Sequence, residues 1–301
     1  MPDAITFAVE GGSQAGWVFT PPGAVRSVLL CLPGGTYDKR YWHLQVPGHA
    51  GYSFAEHLAA QGHLVVALDH LGVGESSRPE LASVGLDVLM RGDAAVAHQV
   101  RDRFADRVPF VGVGHSMGAC LTSMVQAEGR PYDAVALLGY GVDIANVPHA
   151  DPGADDARWP AFCALAGARP DDVYATMPRA LLHDLFHAPD VPPAVVEADD
   201  AAQSVVPLRA AFEVTTPGFL RAFAARVDVP VFLGLGELDV APDPWAEPAC
   251  YRASRDITVF VLPGSHHCHN MASRRTELWD RIGAWVASVA PLGAGPSVRG
   301  S

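Results

Sequence analysis

The chain has 301 residues and a formal net charge of −12. An acidic protein has little attraction for nucleic acid or for anionic membrane surfaces, so the charge argues against both as partners. Hydrophobic residues make up 49% of the sequence, which is enough to bury a large core.

The cysteines and the N-terminus bear on the compartment. Five cysteines are scattered along the chain without a CxxC motif, and the odd number favours free thiols in a reducing compartment over a disulfide framework. The N-terminus lacks the basic and apolar regions of a signal peptide, and no apolar run approaches the ~18 residues of a membrane span. We therefore expect a soluble, cytoplasmic protein.

The first half of the chain alternates strand-like and helical patterns. Two short segments, "ITFAVE" and "AGWVFTPPG", are predicted to form a β-hairpin. Buried strands and helices then alternate in the order "SVLLCLPGG", "SFAEHLAAQG", "HLVVALDH", "SVGLDVLMRGDAAVAHQVRDRF", "PFVGVG", "SMGACLTSMVQAEG" and "YDAVALLGYG". This alternation predicts an α/β fold with a mostly parallel sheet flanked by helices.

Residues 143–226 interrupt the alternation. They contain no strong strand pattern but show helical patches rich in Pro, Asp and Ala, which predicts a helical cap over the C-terminal edge of the sheet. The alternation resumes with "VPVFLGLG", a helical stretch from Trp245, "DITVFVLP" and "RTELWDRIGAWVASV". We expect a core of residues 1–142 and 227–290, a cap of residues 143–226, and a disordered tail at 291–301.

One serine lies at a sharp strand-to-helix turn. Gly114–Gly118 reads "GHSMG", which has the form G-x-S-x-G and stands between a predicted strand and a predicted helix. Such a turn exposes the serine hydroxyl above the sheet edge, so Ser116 is the candidate nucleophile. It also aims the Met117 N–H, at the start of the helix, toward a reacting carbonyl as an oxyanion donor.

A serine nucleophile needs a base, and the base needs an acid to orient it. The strand "VFLGLG" is followed by Asp239, the candidate acid, with Glu237 and Asp243 as neighbouring alternatives. The last strand is followed by "PGSHHCHN", which offers three histidines as the base: His266, His267 and His269. The order serine, acid, histidine matches the order expected for a G-x-S-x-G nucleophile.

Other chemistries fit the sequence less well. The histidine cluster around Cys268 lacks metal-ligand spacing, and His183 and His187 in "HDLFH" lack both the catalytic Glu and a third ligand of a zinc helix. No glycine-rich loop has the spacing and following acid of a dinucleotide site. We therefore expect no metal and no other cofactor.

The motifs together resemble the α/β-hydrolase family over nearly the whole chain. Besides "GHSMG", the likeness rests on "DHLGVGES" after the second buried strand, on "GELDVAPD" and on "PGSHH" before the last helix. In many members the second of these reads D-x-x-G-x-G-x-S, which here gives Asp69, Gly72, Gly74 and Ser76.

The resemblance selects one histidine as the base. The family's P-G-x-x-H turn, counted from Pro263, ends on His267. His269 lies nearer the following segment, and we expect it to fix the loop or contact the cap.

The resemblance also implies a second oxyanion donor after the first central strand. The family often has His-Gly there, but this chain has Pro33 before Gly34. One alignment makes the Gly35 N–H the donor, and a shift of one residue makes it that of Thr36.

The sequence thus predicts a serine hydrolase that cleaves an ester or similar acyl bond of a small, mainly apolar substrate. Trp159 and Phe186 are the cap residues expected to bind it. The same triad could serve a thioesterase, a carbon–carbon bond hydrolase or a cofactor-free perhydrolase. A ligand-binding receptor on the same fold is the non-enzymatic alternative.

Overall fold

The computed structural model describes residues 2–144 and 155–289, with the side chains of residues 155–157 excepted. Eight strands form one sheet, and two short strands pair outside it. In chain order, the ten strands are β1 (Asp3–Val9), β2 (Gly12–Phe19), β3 (Ser27–Leu32), β4 (His63–Leu68), β5 (Phe110–His115), β6 (Ala134–Leu138), β7 (Tyr174–Ala175), β8 (Val206–Pro207), β9 (Val231–Gly236) and β10 (Ile257–Leu262).

The sheet has the strand order β1-β2-β4-β3-β5-β6-β9-β10. The pairs β1–β2 and β2–β4 are antiparallel, and all other neighbours are parallel. The predicted early hairpin and the mostly parallel sheet are therefore confirmed.

Helices flank the sheet and fill the segment between β6 and β9. The α-helices are α1 (Phe54–Ala60), α2 (Leu86–Phe104), α3 (Met117–Gly129), α4 (Asp155–Leu165), α5 (His183–Phe186), α6 (Pro193–Ala201), α7 (Leu208–Val214), α8 (Arg221–Ala224) and α9 (Arg275–Val289). Short 3-10 helices span Lys39–Trp42, Arg179–Leu181, Glu247–Cys250 and His269–Met271. Within residues 2–144 and 155–289, no helix has both the length and the apolar character that crossing a bilayer requires.

The core lies on both faces of the sheet. Every residue of β3 is buried, and successive side chains point to opposite faces. Leu30 belongs to the cluster that packs against α2 and α3, whereas Leu29 belongs to the cluster that packs against α1 and α9. This two-sided burial explains why the central strands read as continuous apolar runs instead of alternating patterns.

The insertion, residues 143–226, contains α4 to α8 and differs from expectation in one respect. It holds a strand pair, because β7 and β8 are antiparallel neighbours. Outside the insertion, the helical stretch expected from Trp245 is only the 3-10 helix Glu247–Cys250. The division into core and cap stays a prediction, and residues 145–154 and 290–301, including the predicted tail, lie outside the described residues.

A buried ion pair anchors the chain just after β3. The Lys39 amine lies 2.6 Å from Asp69 Oδ2, and both side chains are almost fully buried. Asp69 also accepts the backbone N–H groups of Lys39 at 2.7 Å and of Glu75 at 2.9 Å. The carboxylate therefore ties the loop after β3 to the loop after β4.

Asp69→Ala should lower the free energy of unfolding by about 3 kcal/mol, because it leaves the buried Lys39 ammonium with only the exposed carboxylate of Glu75 as its partner. Urea unfolding followed by circular dichroism measures this loss. Asp87→Ala is the matched control, since it removes an exposed i,i+4 pair with Arg91 and should cost only about 0–1 kcal/mol. Equal effects of the two substitutions would contradict the anchoring role of Asp69.

Candidate active site

Three side chains from separate strand ends form a hydrogen-bonded chain. Ser116 Oγ lies 2.9 Å from His267 Nε2, and His267 Nδ1 lies 2.7 Å from Asp239 Oδ1. Since an ionised carboxylate only accepts, Nδ1 donates to Asp239 and Nε2 is left to accept from the serine hydroxyl. The structure thus brings together the predicted nucleophile, base and acid.

Ser116 is held in a strained turn between β5 and α3. Its φ is 54° and its ψ is −120°, a conformation that residues with a Cβ rarely adopt. The Ser116 N–H donates to the carbonyl of Leu138 at 2.8 Å. A Cβ on Gly118 would collide with the backbone of Leu32, so glycine is needed where α3 approaches β3. The close approach and the hydrogen bond hold the hydroxyl toward His267.

Asp239 is fully buried and is met by hydrogen-bond donors on both oxygens. Oδ1 accepts the Val240 N–H at 2.7 Å as well as His267, and Oδ2 accepts the Gly236 N–H at 3.0 Å. His269 Nε2 lies 2.7 Å from Oδ2. Burial alone would raise the pKa of this carboxyl, but the imidazoles of His267 and His269 hold the pKa well below its usual range. Asp239 is therefore ionised at neutral pH.

The alternative acids point elsewhere. Glu237 Oε2 accepts the Gly264 N–H at 2.8 Å, and Asp243 Oδ1 accepts the Trp245 N–H at 3.0 Å. Both carboxylates therefore stabilise loops by accepting backbone N–H groups.

The neighbouring histidines face different groups. His266 Nδ1 lies 2.8 Å from the carbonyl oxygen of Asp184, in the insertion. His269 was expected to fix the loop or to contact the cap, and its Nε2 lies 2.7 Å from Oδ2 of Asp239.

A third buried histidine borders the site and was not singled out from the sequence. His115 Nε2 lies 2.8 Å from the carbonyl oxygen of His267, and its ring stacks on Tyr41 with centroids 4.5 Å apart. Burial lowers the pKa of His115 well below its ordinary value, and the nearby imidazoles of His267 and His269 lower it further. His115 is therefore neutral and braces the loop that carries His267.

The turn after β3 lies against the nucleophile. A Cβ added to Gly34 would lie only 3.1 Å from Ser116 Cβ, so the turn and the serine are in close contact. Thr36 has a φ of 68°, and its carbonyl accepts the Ser204 N–H at 2.8 Å and Arg179 Nη2 at 3.4 Å. Gly35 and Thr36 both line the cavity at Ser116. Two residues of the insertion thus hold the turn that carries the predicted second oxyanion donor.

An apolar cavity of about 100 Å³ opens at Ser116 and His267. Besides those two residues, its lining is Gly35, Thr36, Met117, Phe162, Met177, Leu182, Leu185, Phe186, Val206, Ala211, Val214 and Thr215. A larger depression of about 480 Å³, around Arg26 and His63, lies at the start of β3 and β4, far from this chemistry. The cavity at Ser116 therefore lies where a reacting group would meet Ser116 and His267.

The structure places the two predicted substrate-binding aromatics differently. Phe186 lines the cavity, and its ring centroid lies 5.5 Å from that of His267. Trp159 is absent from the lining and stacks behind Phe162 with centroids 6.4 Å apart. Phe162, which lines the cavity, was not among the aromatics predicted from the sequence to bind substrate.

The "HDLFH" histidines pair with acidic residues of α6. His183 Nε2 lies 2.9 Å from Asp200 Oδ2, and His187 Nε2 lies 3.2 Å from Asp199 Oδ2. In the described ranges, no three His, Cys, Asp or Glu side chains are grouped as metal ligands would be.

The fold and the site geometry define a class of enzyme. The sequence matches the model of the alpha/beta hydrolase family over residues 29–281, which is most of the chain. The chain therefore belongs to the alpha/beta hydrolase family.

One curated protein resembles part of the sequence, and solved structures of other proteins have a similar fold. Rhodomycin D methylesterase DauP of Streptomyces sp. (strain C5) is 33% identical over 120 residues, which are 38% of this chain and 36% of that protein. A soluble variant of the monoglyceride lipase of Saccharomyces cerevisiae has the same fold at a TM-score of 0.71 and 15% identity, with 96% of each chain covered. A thermostable carboxyl esterase of Bacillus coagulans matches at a TM-score of 0.65 and 17% identity, over 96% of this chain and 98% of that one.

Backbone strain at Ser116 gives a prediction about stability. Ser116→Gly and Ser116→Ala both remove the hydroxyl, but only glycine relieves the positive φ, so the Gly variant should be more stable by about 1 kcal/mol. Thermal unfolding of the two variants measures the difference. At Ser123, inside α3, the order should reverse, with Gly less stable than Ala by about 1 kcal/mol. The same order at both positions would contradict strain at Ser116.

Proposed function

We propose that the protein is a carboxylic ester hydrolase that works through an acyl-enzyme on Ser116, with His267 as base and Asp239 as acid. The observation that carries the proposal is the continuous chain from Ser116 Oγ through His267 to Asp239, with distances of 2.9 and 2.7 Å. Hydrogen-bonded serine, imidazole and carboxylate in this order are the arrangement that turns a weak hydroxyl into a nucleophile.

In the first half-reaction, Ser116 Oγ attacks the ester carbonyl carbon while its proton moves to His267 Nε2. The imidazolium is stabilised by the ionised Asp239, which keeps its own charge. The tetrahedral intermediate then expels the alcohol, which takes the proton back from His267. An ester bond between Ser116 and the acyl group remains.

The negative oxygen of the intermediate needs donors that are already in place. The Met117 N–H, the first of α3, and the Gly35 N–H are the proposed pair, with the Thr36 N–H as the alternative to Gly35. The contact of the Gly34 turn with Ser116 supports a second donor from this turn, whether it is the N–H of Gly35 or that of Thr36. Fixed backbone dipoles of this kind stabilise the transition state without having to reorganise.

In the second half-reaction, water replaces the alcohol. His267 Nε2 accepts a proton from the water as it attacks the acyl carbon, and returns that proton to Ser116 Oγ as the acid leaves. The cycle consumes ester and water, releases acid and alcohol, and needs no cofactor.

The cavity supports a small apolar group on the substrate. An apolar cavity of about 150 Å³ holds a benzene-sized guest, so the cavity of about 100 Å³ here suits a group of fewer heavy atoms. Its side chains are nearly all hydrocarbon, thioether or aromatic, which favours an uncharged acyl or alkyl group. The methylesterase named above supports an ester as the bond that is cleaved.

Ser116→Ala should lower kcat for a short p-nitrophenyl ester by roughly 10⁴-fold or more, because the nucleophile is lost while the fold stays intact. A fluorophosphonate probe should label the wild type and not this variant. Ser123→Ala, a buried serine of the following helix, is the matched control and should keep both activity and labelling.

The base is tested in the same assay. His267→Ala should lose activity by about the same factor as Ser116→Ala, since the two act as a unit. His266→Ala should lose much less, because its ring contacts a carbonyl of the insertion. Labelling of Ser116→Ala, or an inactive His266→Ala beside an active His267→Ala, would overturn the assignment.

Phe186→Ala should shift preference toward longer acyl or alkyl groups, because the removed ring enlarges the cavity beside His267. The measurement is kcat/KM for a series of esters that differ by one methylene. Trp159→Ala serves as the control, since its ring lies behind Phe162 and its Nε1 donates to the Pro170 carbonyl. An equal shift from both substitutions would show that the cavity wall is not where specificity is set.

A further inference from the structure

Asp239 is shared by two histidines. His267 Nδ1 lies 2.7 Å from one carboxylate oxygen and His269 Nε2 lies 2.7 Å from the other. The side chains of Asp239 and His269 are fully buried, so no water competes for this contact. The triad needs only the first of the two contacts, so the second calls for a role.

Hydrogen bonding fixes which nitrogen of His269 carries the proton. Among the residues that the structure describes, His269 Nδ1 is buried and has no hydrogen-bond partner. A proton on Nδ1 would leave a buried donor unsatisfied, whereas a proton on Nε2 is shared with a carboxylate. His269 is therefore a donor to Asp239 Oδ2.

The other ionisable groups that face this pair bear no charge near neutral pH. They come from three places: His115 at the end of β5, Tyr41 in the loop after β3, and Cys268 between the two histidines. Burial lowers the pKa of His115 and raises the pKa of both Tyr41 and Cys268 well away from neutrality. The negative charge of Asp239 is thus stabilised by hydrogen bonds from the two imidazoles and from the N–H groups of Gly236 and Val240.

We propose that His269 is a positioning residue, which rests on the function proposed above. Its Nε2–H holds Oδ2 of Asp239, so that the carboxylate stays ionised, cannot rotate, and presents Oδ1 to His267. His267 is then kept with its proton on Nδ1 and its Nε2 lone pair toward Ser116. Without this donor, Oδ2 would retain only the Gly236 N–H.

The kinetic experiment compares two substitutions at one position. His269→Leu removes the donor and should lower kcat roughly 10- to 100-fold with little change in KM, the factor that a hydrogen bond to a charged group corresponds to. His269→Gln, whose amide can donate in place of Nε2, should recover most of that loss. His63→Leu is the control for removing a buried imidazole, because His63 bonds Ser27 at the opposite edge of the sheet.

The pH profile separates positioning from a merely structural role. In His269→Leu the carboxylate is less neutralised and stabilises the His267 imidazolium more strongly, so the acid limb of kcat/KM should move to higher pH. The limb should return in His269→Gln and stay in place in His63→Leu. Equal losses in the Leu and Gln variants with an unmoved limb would overturn the proposal.

Proton NMR with ¹⁵N-labelled histidine tests the bond without any substrate. The wild type should show far-downfield imidazole N–H protons from two histidines of the site, the first on His267 Nδ1 and the second on His269 Nε2, besides that of the buried His70 Nδ1, which lies 2.9 Å from Asp93 Oδ2. His269→Gln should remove only the second, which keeps the test decisive should the Leu variant fail to fold. An unprotonated His269 Nε2 would overturn the inference. The spectrum can also be recorded on Ser116→Ala, because the test needs no activity. Failure of the proposed function is a separate outcome, since it would show as activity retained by Ser116→Ala.

Discussion

A carboxylate without access to water must be surrounded by donors, and the arrangement of this site depends on meeting that requirement at Asp239. Two backbone N–H groups and two imidazoles share its four acceptor positions. One backbone donor, Gly236, is the last residue of β9, the other, Val240, lies in the loop that follows, and the imidazoles come from the segment after β10. Because β9 and β10 are parallel neighbours, their ends lie side by side and the loop can close over the carboxylate.

The proposed nucleophile, Ser116, meets the opposite constraint, since it must remain accessible. Ser116 gains exposure through a strained backbone, and neighbouring elements hold that strain in place. The close approach of α3 to β3 at Gly118 and the hydrogen bond to Leu138 leave the turn no freedom to relax. Stability and reactivity therefore depend on the same packing, in which a central parallel sheet brings together groups more than 120 residues apart.

The sequence predicted the sheet, Ser116 and the position of an acid because these follow from local patterns, whereas the choice of His267 among three histidines came from the family resemblance. Continuous apolar runs mark buried strands, and a glycine-flanked serine, an acid and a histidine each follow such a run. The sequence did not predict the contact between His269 and Asp239, because that contact depends on the direction in which a side chain points within a loop. His267 and His269 are two residues apart, but the chain turns tightly between them, since the His269 N–H donates to the His267 carbonyl at 3.0 Å. Their spacing in the sequence therefore gives no signal for the second contact.

Less of the structure could be predicted from the sequence in the insertion. Aromatic residues there mark apolar packing, but only the three-dimensional path decides that Phe162 faces the cavity and Trp159 stands behind it. The pair β7–β8 is two residues per strand, too short for a periodic pattern to predict. The region from Trp245 forms only one 3-10 turn, because Pro244 and Pro248 interrupt a longer helix.

The insertion, which forms most of the cavity wall, also holds the loop that carries His267 and the turn that carries Thr36. The carbonyls of Leu185 and Phe186 accept the N–H groups of His267 and Cys268 at 3.0 and 2.9 Å, and Ser204 donates to Thr36. Backbone bonds of this kind do not depend on the identity of the side chains that carry them. Side chains that face the cavity can therefore change without moving His267, whereas a change in the backbone path at these residues alters both the cavity and the position of His267. With Ser116, His267 and Asp239 in the proposed roles, this separation lets side chains of the insertion alter the substrate while the reacting groups stay in place.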